Sequence, residues 1–224
     1  MKKILLFTLL ATLVWTVNGQ NTTPNPAPPK TADADEDEPV RLTDNNILFF
    51  YEANADIPST MESVAKCFSA DYRNAPTEFA KVDILKQISP VIDRKIADAK
   101  GTKAVMVSLS CQIPDYDFTR KGFATTMTVE SFVPFNLNGA NYAVAFKGIK
   151  NFTFLALPEE RAAQYQGKLA RSREGQVQIF GTISSAEEQT LNYGTRKTVF
   201  LKVRRLVFSL ADGTTIGEIT LPVK

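Results

Sequence analysis

Up to Gly101 the apolar residues recur every three or four positions, and beyond it every second one. The first spacing is that of helices with one buried side, the second that of half-buried strands. Thr43 or Asp44 is placed to cap a short helix carrying Ile47, Leu48, Phe50 and Tyr51. Ser59-Thr60-Met61-Glu62 reads as a capping box, and Met61, Val64, Ala65, Phe68 and Tyr72 follow at helical spacing with Cys67 on the flank. Phe79, Val82, Leu85, Ile88, Ile92 and Ile96 make a longer stripe. Pro90 interrupts it behind Ser89, which predicts a kink or break there. Gly101 is expected to end this helix as its C′ residue.

Val105, Val107, Leu109, Cys111 and Ile113 then alternate with Met106, Ser108, Ser110 and Gln112, predicting a strand with one buried face. Phe123, Met127, Val129 and Val133 suggest the next strand, and a turn within Phe135-Asn136-Leu137-Asn138-Gly139 follows. Tyr142, Val144 and Phe146, then Phe152 and Phe154, continue the series. Pro158-Glu159-Glu160 opens a helix expected to reach about Arg173, and Val177, Ile179, Gly181 and Ile183 return to a period of two.

The C-terminal segment carries the sharpest local signal. Val199, Leu201 and Val203 alternate on odd numbers, but Leu206, Phe208 and Leu210 on even ones. A bulge at Arg204-Arg205 would keep both sets on one face. Asp212-Gly213 predicts a two-residue hairpin turn, and counting outward from it pairs Phe208 with Gly217 and Leu206 with Ile219. Helices first and strands afterwards give an α+β fold. The expected architecture is N-terminal helices packed on a curved, mostly antiparallel sheet of five to seven strands, with one inserted helix; a partly closed barrel is the alternative.

Two segments lie outside this pattern. Lys2 and Lys3 precede a 14-residue apolar run, Ile4 to Val17, with short side chains before Gln20. This is the layout of a cleaved secretory leader over residues 1–19, and the run is shorter than the ~20 residues a membrane-spanning helix needs. Residues 20–40 hold five prolines and five acids without a large apolar residue until Val40, the composition of a disordered tether. Asp33, Asp35 and Asp37 imitate the start of a calcium loop, but Glu38 and Asp44 stand where that loop needs Gly and Glu; no metal site is expected. Residues 41–224 are read as one domain, with no membrane span once the leader is removed.

Charge and composition restrict the chemistry. Past residue 40 there are 23 basic and 19 acidic residues, too even and scattered a balance to indicate nucleic-acid binding. The dense basic places are Arg196-Lys197 and Lys202, Arg204 and Arg205. There is no histidine, so a Ser-His-Asp or Cys-His arrangement cannot be built. No phosphate loop or dinucleotide fingerprint occurs, and no cofactor is implied. Cys67 and Cys111 are the two cysteines. In an exported protein they would be candidates for a disulfide, but spacing alone does not establish the geometry.

IPDYDFTRKGF, residues 113–123, gathers Asp115, Tyr116, Asp117, Arg120 and Lys121. Asp115 and Asp117 are the obvious carboxylate pair for glycoside hydrolysis, although residues two apart on a strand leave little room between them. Neither Ser69-Ala70-Asp71-Tyr72 nor Ser172-Arg173 presents the S-x-x-K spacing, and either cysteine would lack a base. The plainer reading of the stretch is a connection whose aromatics pack beneath it while the charges face water; the functional reading is a recognition loop, since Tyr and Arg favour interface hot spots.

The leader, the polar tether, and then NAPTEFAKVDIL, DYDFTRKGF, LPEERA and VFLKVRRLVFSLADGTTIGEI appear in this order. In that layout, over about residues 42–222, the chain resembles a group of uncharacterised exported proteins of Gram-negative bacteria, a domain of unknown function. The resemblance implies periplasmic or extracellular localisation and brings no assigned activity. Together the readings give an exported, non-enzymatic binding or accessory protein. Its partner would be a protein or an envelope polymer, met through Asp115, Tyr116, Asp117, Arg120 and Lys121 or through Lys202, Arg204 and Arg205. The alternative is a carboxylate-dependent hydrolase acting on an envelope glycan.

Overall fold

The computed structural model describes residues 38–191 and 194–221; the leader, and the tether up to residue 37, lie outside the described residues. The described chain is mixed α/β, with six helices and ten strands. The first strand, β1 (Val40–Arg41), already belongs to the sheet. The helices α1 (Ile47–Asn54), α2 (Met61–Phe68), α3 (Ala70–Arg73) and α4 (Glu78–Gly101) follow.

Six consecutive residues of α1, Ile47 to Glu52, are buried. A helix apolar on every side belongs inside a core, and α1 sits between α4 and the sheet. The cap of α2 falls one residue later than the sequence suggests: the Thr60 side chain accepts from the Ser63 N–H. Neither Thr43 nor Asp44 caps α1. The Thr43 N–H donates to Asn46 instead, and Asp44 accepts from the Asn136 N–H.

The predicted break at Pro90 does not occur, and α4 runs unbroken for 24 residues. Pro90 and Lys86, whose carbonyl loses its donor, both lie on the exposed side, where water can serve that carbonyl. The Ser89 hydroxyl caps the Leu85 carbonyl. The true core stripe of α4 is Leu85, Ile88, Ile92, Ile96 and Ala99. Phe79 and Val82, expected in it, are exposed.

The strands are β2 (Val105–Gln112), β3 (Tyr116–Asp117), β4 (Gly122–Ala124), β5 (Phe132–Leu137), β6 (Ala140–Lys147), β7 (Phe154–Ala156), β8 (Glu174–Leu191), β9 (Gly194–Leu210) and β10 (Thr215–Thr220). The expected strand from Phe123 to Val133 is split between β4 and β5. In place of one helix over 159–173 there are two short ones, α5 (Glu159–Ala163) and α6 (Gln166–Leu169).

The large sheet has seven strands in the order β1-β2-β8-β9-β6-β5, with β10 also paired to β9. It is mixed rather than purely antiparallel, because β1 runs parallel to β2 and β6 parallel to β9. A second sheet, β3-β4-β7, was not foreseen. Strand β9 organises the larger one. It pairs with β8 along its length, while its other edge takes β6 over residues 197–202 and β10 over residues 205–209.

The bulge stands where the phase switch requires it. Phe180 pairs with Arg205 and Gly181 with Val203, leaving Arg204 as the extra residue. Val199, Leu201, Val203, Leu206, Phe208 and Leu210 are consequently all buried. Phe208 pairs with Gly217 and Leu206 with Ile219 as the count predicts. The turn itself is wider than two residues: Leu210 N–H donates to Thr214, Gly213 is left-handed, and a register shift between Thr215 and Gly217 restores the pairing. At the β5–β6 hairpin, Asn138 and Gly139 both have positive φ, the conformation favoured in a two-residue turn.

Candidate functional site

The stretch 113–123 forms β3, a turn and β4, and its charges are engaged locally. The Asp117 carboxylate accepts the Thr119 and Arg120 N–H groups, each at 2.9 Å, which fixes the turn; Lys121 beyond it is left-handed. The Tyr116 hydroxyl donates to the Leu157 carbonyl at 2.8 Å, and its ring meets Phe118 and Phe123 edge-on. Partial desolvation, then the Glu159, Glu160 and Asp117 charges, push the Tyr116 hydroxyl above its ordinary pKa. Arg120 lies 3.9 Å over the Phe154 ring. Asp115 pairs with Arg173 at 2.5 Å, and Arg173 also donates to the Ile113 carbonyl. The two aspartates thus do different jobs: one ties the hairpin to residue 173, the other shapes its turn.

The basic residues around the bulge stand on a different surface. Helices and the small sheet cover one face of the large sheet, where Val105, Ile179, Leu201 and Leu206 are buried. Positions of opposite parity face the other way, and Phe132, Phe180 and Phe200 are only half-buried there. Each of these rings carries a cation. Arg205 lies 4.2 Å from the centre of Phe180, Lys147 4.8 Å from Phe200 and Arg196 5.6 Å from Phe132. Lys202 and Arg204 are exposed between them. Lys147 and Lys202 are register partners on adjacent parallel strands, so two ammonium-bearing side chains share one cross-strand position. Lys147 leans to the Ser185 hydroxyl at 3.0 Å, Arg205 reaches Glu218 at 3.7 Å, and Arg196 Nε is buried without a hydrogen-bond partner.

Lys202, Arg204 and Arg205 are visible in the sequence as a basic spot. Arg196 joins them by strand parity. Lys147 joins only through the parallel β6–β9 pairing, which no local pattern announces.

A third cluster has no sequence signature. Glu52 in α1, Ser59 before α2 and Lys197 in β9 converge from three places in the chain. Glu52 accepts the Ser59 N–H at 2.7 Å and its hydroxyl at 2.6 Å, while Lys197 donates to Ser59 Oγ at 2.5 Å and lies 3.6 Å from the carboxylate. The Glu52 side chain is 2% exposed and that of Lys197 24%. The Lys197 ammonium lies 5.3 Å from the Tyr51 ring centre and 5.9 Å from that of Tyr142. Burial, followed by the charges of Glu188, Glu52 and Glu187, pushes the Tyr51 hydroxyl up to about 12. Tyr142 is raised too, chiefly by burial and then by the neighbouring Cys67. The group fastens the segment before α2 to the central strand.

Both cysteines are free, so the disulfide open to the sequence is not formed. Cys67 lies beside Tyr142 on α2. Cys111 is opposite Gly175 at the far end of β2, where burial raises its thiol pKa. Two crevices meet at Cys111. One is apolar, lined by Phe123, Leu155, Phe208 and Ile216 among others; the other is open and bears a single acid, Glu174. Among the described residues no group of His, Cys, Asp and Glu is placed to hold a metal ion, and no helix is long and apolar enough to cross a membrane. Comparison with protein-family models, curated proteins and solved structures finds no match.

Proposed function

We propose that this chain is an exported binding or accessory protein whose contact surface is the open face of the large sheet, centred on Lys202 and Arg204. Export is supported by the leader pattern of residues 1–19. The observation that carries the contact surface is the set of three cation–ring stacks over Phe132, Phe180 and Phe200 beside the two exposed cations. Stacked cations are held extended before a partner arrives, which lowers the ordering cost of binding. Register-paired lysines on neighbouring strands cost stability, so their presence favours a use outside the fold. The stretch 113–123 is less suited to the role, since Asp115 and Asp117 are engaged within the chain.

A carboxylate-dependent hydrolase is the less favoured reading. Asp115 and Asp117 hold separate structural contacts, and neither crevice at Cys111 is lined by two acids. Capture of envelope material on immobilised protein tests the proposal. Lys202→Glu/Arg204→Glu should retain far less than the unaltered chain. Equal retention by both would remove this face from consideration.

A further inference from the structure

The cations of the open face form a line rather than a cup. Arg196, Lys202, Arg204 and Arg205 follow one another along β9, and Lys147 lies beside Lys202 on β6. At ~3.3 Å per residue the row extends over roughly 25–30 Å. A small anion is bound by donors converging on one point, so a row of this length suits a linear chain of anionic groups.

Among the described residues the face also carries no large exposed hydrophobic side chain that could serve a protein partner as an apolar anchor. Protein interfaces centre on buried apolar or aromatic anchors. The large hydrophobic residues that are exposed here, Ile57, Phe79, Val82, Val91, Phe118 and Val129, lie in helices, the small-sheet hairpin and loops. Val40 lies on the edge strand, level with buried Val105. The open face instead offers half-exposed rings, each with a cation against it. Flat rings accept the C–H faces of sugars, and the cations accept carboxylates or other anionic substituents between them.

We infer that the occupant of this face is a linear acidic polysaccharide lying along β9, and this rests on the sheet-face reading above. Strand β9 gives the direction, the basic side chains hold successive anionic groups, and the half-exposed parts of Phe180 and Phe200 that Arg205 and Lys147 leave open meet the sugar rings between them.

The test is affinity electrophoresis of the purified full chain in gels containing polygalacturonate. Neutral dextran, polyglutamate and oligothymidylate of matched charge serve as comparison polymers. The expected result is retardation by polygalacturonate and none by dextran. Binding should be clearly tighter than to polyglutamate or oligothymidylate, and roughly tenfold weaker in Lys202→Gln/Arg204→Gln. That variant changes two exposed side chains, so its thermal midpoint should match the parent's. Phe200→Leu should weaken the polysaccharide more than polyglutamate. No retardation by polygalacturonate, or equal binding to all three polyanions, overturns the inference. Preference for polyglutamate or oligothymidylate that the double variant abolishes keeps the face as the site and refutes only the polysaccharide. Polygalacturonate held equally well by the variant overturns both readings.

Discussion

The Glu52–Ser59–Lys197 cluster allows a quantitative prediction, because its two charges differ in their access to water. Replacing Lys197 by Met leaves a carboxylate that is 2% exposed with only the two Ser59 donors. Removing one partner of a buried ion pair costs about 3–5 kcal/mol. The Lys197 side chain is 24% exposed, so its pairing is partly screened and the low end, about 3 kcal/mol, applies. Glu52→Gln is milder: the amide oxygen still accepts from Ser59, and the ammonium can turn toward water along its partly exposed stem. That substitution should cost about 1–2 kcal/mol. The double variant buries no charge and should cost little more than Glu52→Gln alone, a coupling of about 2–3 kcal/mol. Urea unfolding of the four proteins at neutral pH measures all three values. A coupling below about 0.5 kcal/mol, or a Glu52→Gln variant less stable than Lys197→Met, would refute the reasoning from unequal solvent access.

Other predictions concern the sheet, the tyrosines and the thiols. A Cβ on Gly181 would stand 2.3 Å from the Lys202 carbonyl oxygen; Gly181→Ala should therefore cost about 2–4 kcal/mol in denaturant unfolding. Gly139→Ala, in open space at φ +86°, should cost only about 1–2 kcal/mol, and the reverse ranking would count against the β8–β9 register. Tyr51 ionises near 12 in the folded chain against an ordinary 10. Its neutral form supports the fold fully below pH 10, and that support is lost as pH rises toward 12. Unfolding midpoints should accordingly fall across that interval, and less steeply in Tyr51→Phe. Alkylation without reductant should label both Cys67 and Cys111 after denaturation; a joined pair recovered by mass spectrometry would contradict the structure.

What could be read from the chain was local. The odd-to-even switch at Arg204-Arg205 locates a bulge because only an extra residue keeps Leu201 and Leu206 on one face. Asn138-Gly139 marks its hairpin because both residues tolerate positive φ. Pro90 misleads, since its effect depends on whether water reaches the Lys86 carbonyl, and that is decided by which way α4 faces. Phe79 and Val82 mislead similarly: helical spacing marks an apolar stripe without saying where the partner beneath it ends. The candidate site was half visible. Lys202, Arg204 and Arg205 are neighbours in sequence, but Lys147 is brought to them by a parallel pairing. The contacts of Lys197 with Glu52 and Ser59 close loops too long for any spacing rule to register.

Strand β9 has a consequence for how the chain comes together. The β5–β6 hairpin meets the large sheet through β9, and β8 finds its long partner there. Two halves of the sheet therefore wait for a segment that begins at Gly194. Until β9 is in place, β6 and β8 each present an unmatched row of backbone donors and acceptors, the kind of surface that chaperones shield. A chain stopped before Gly194 should therefore be aggregation-prone rather than partly folded.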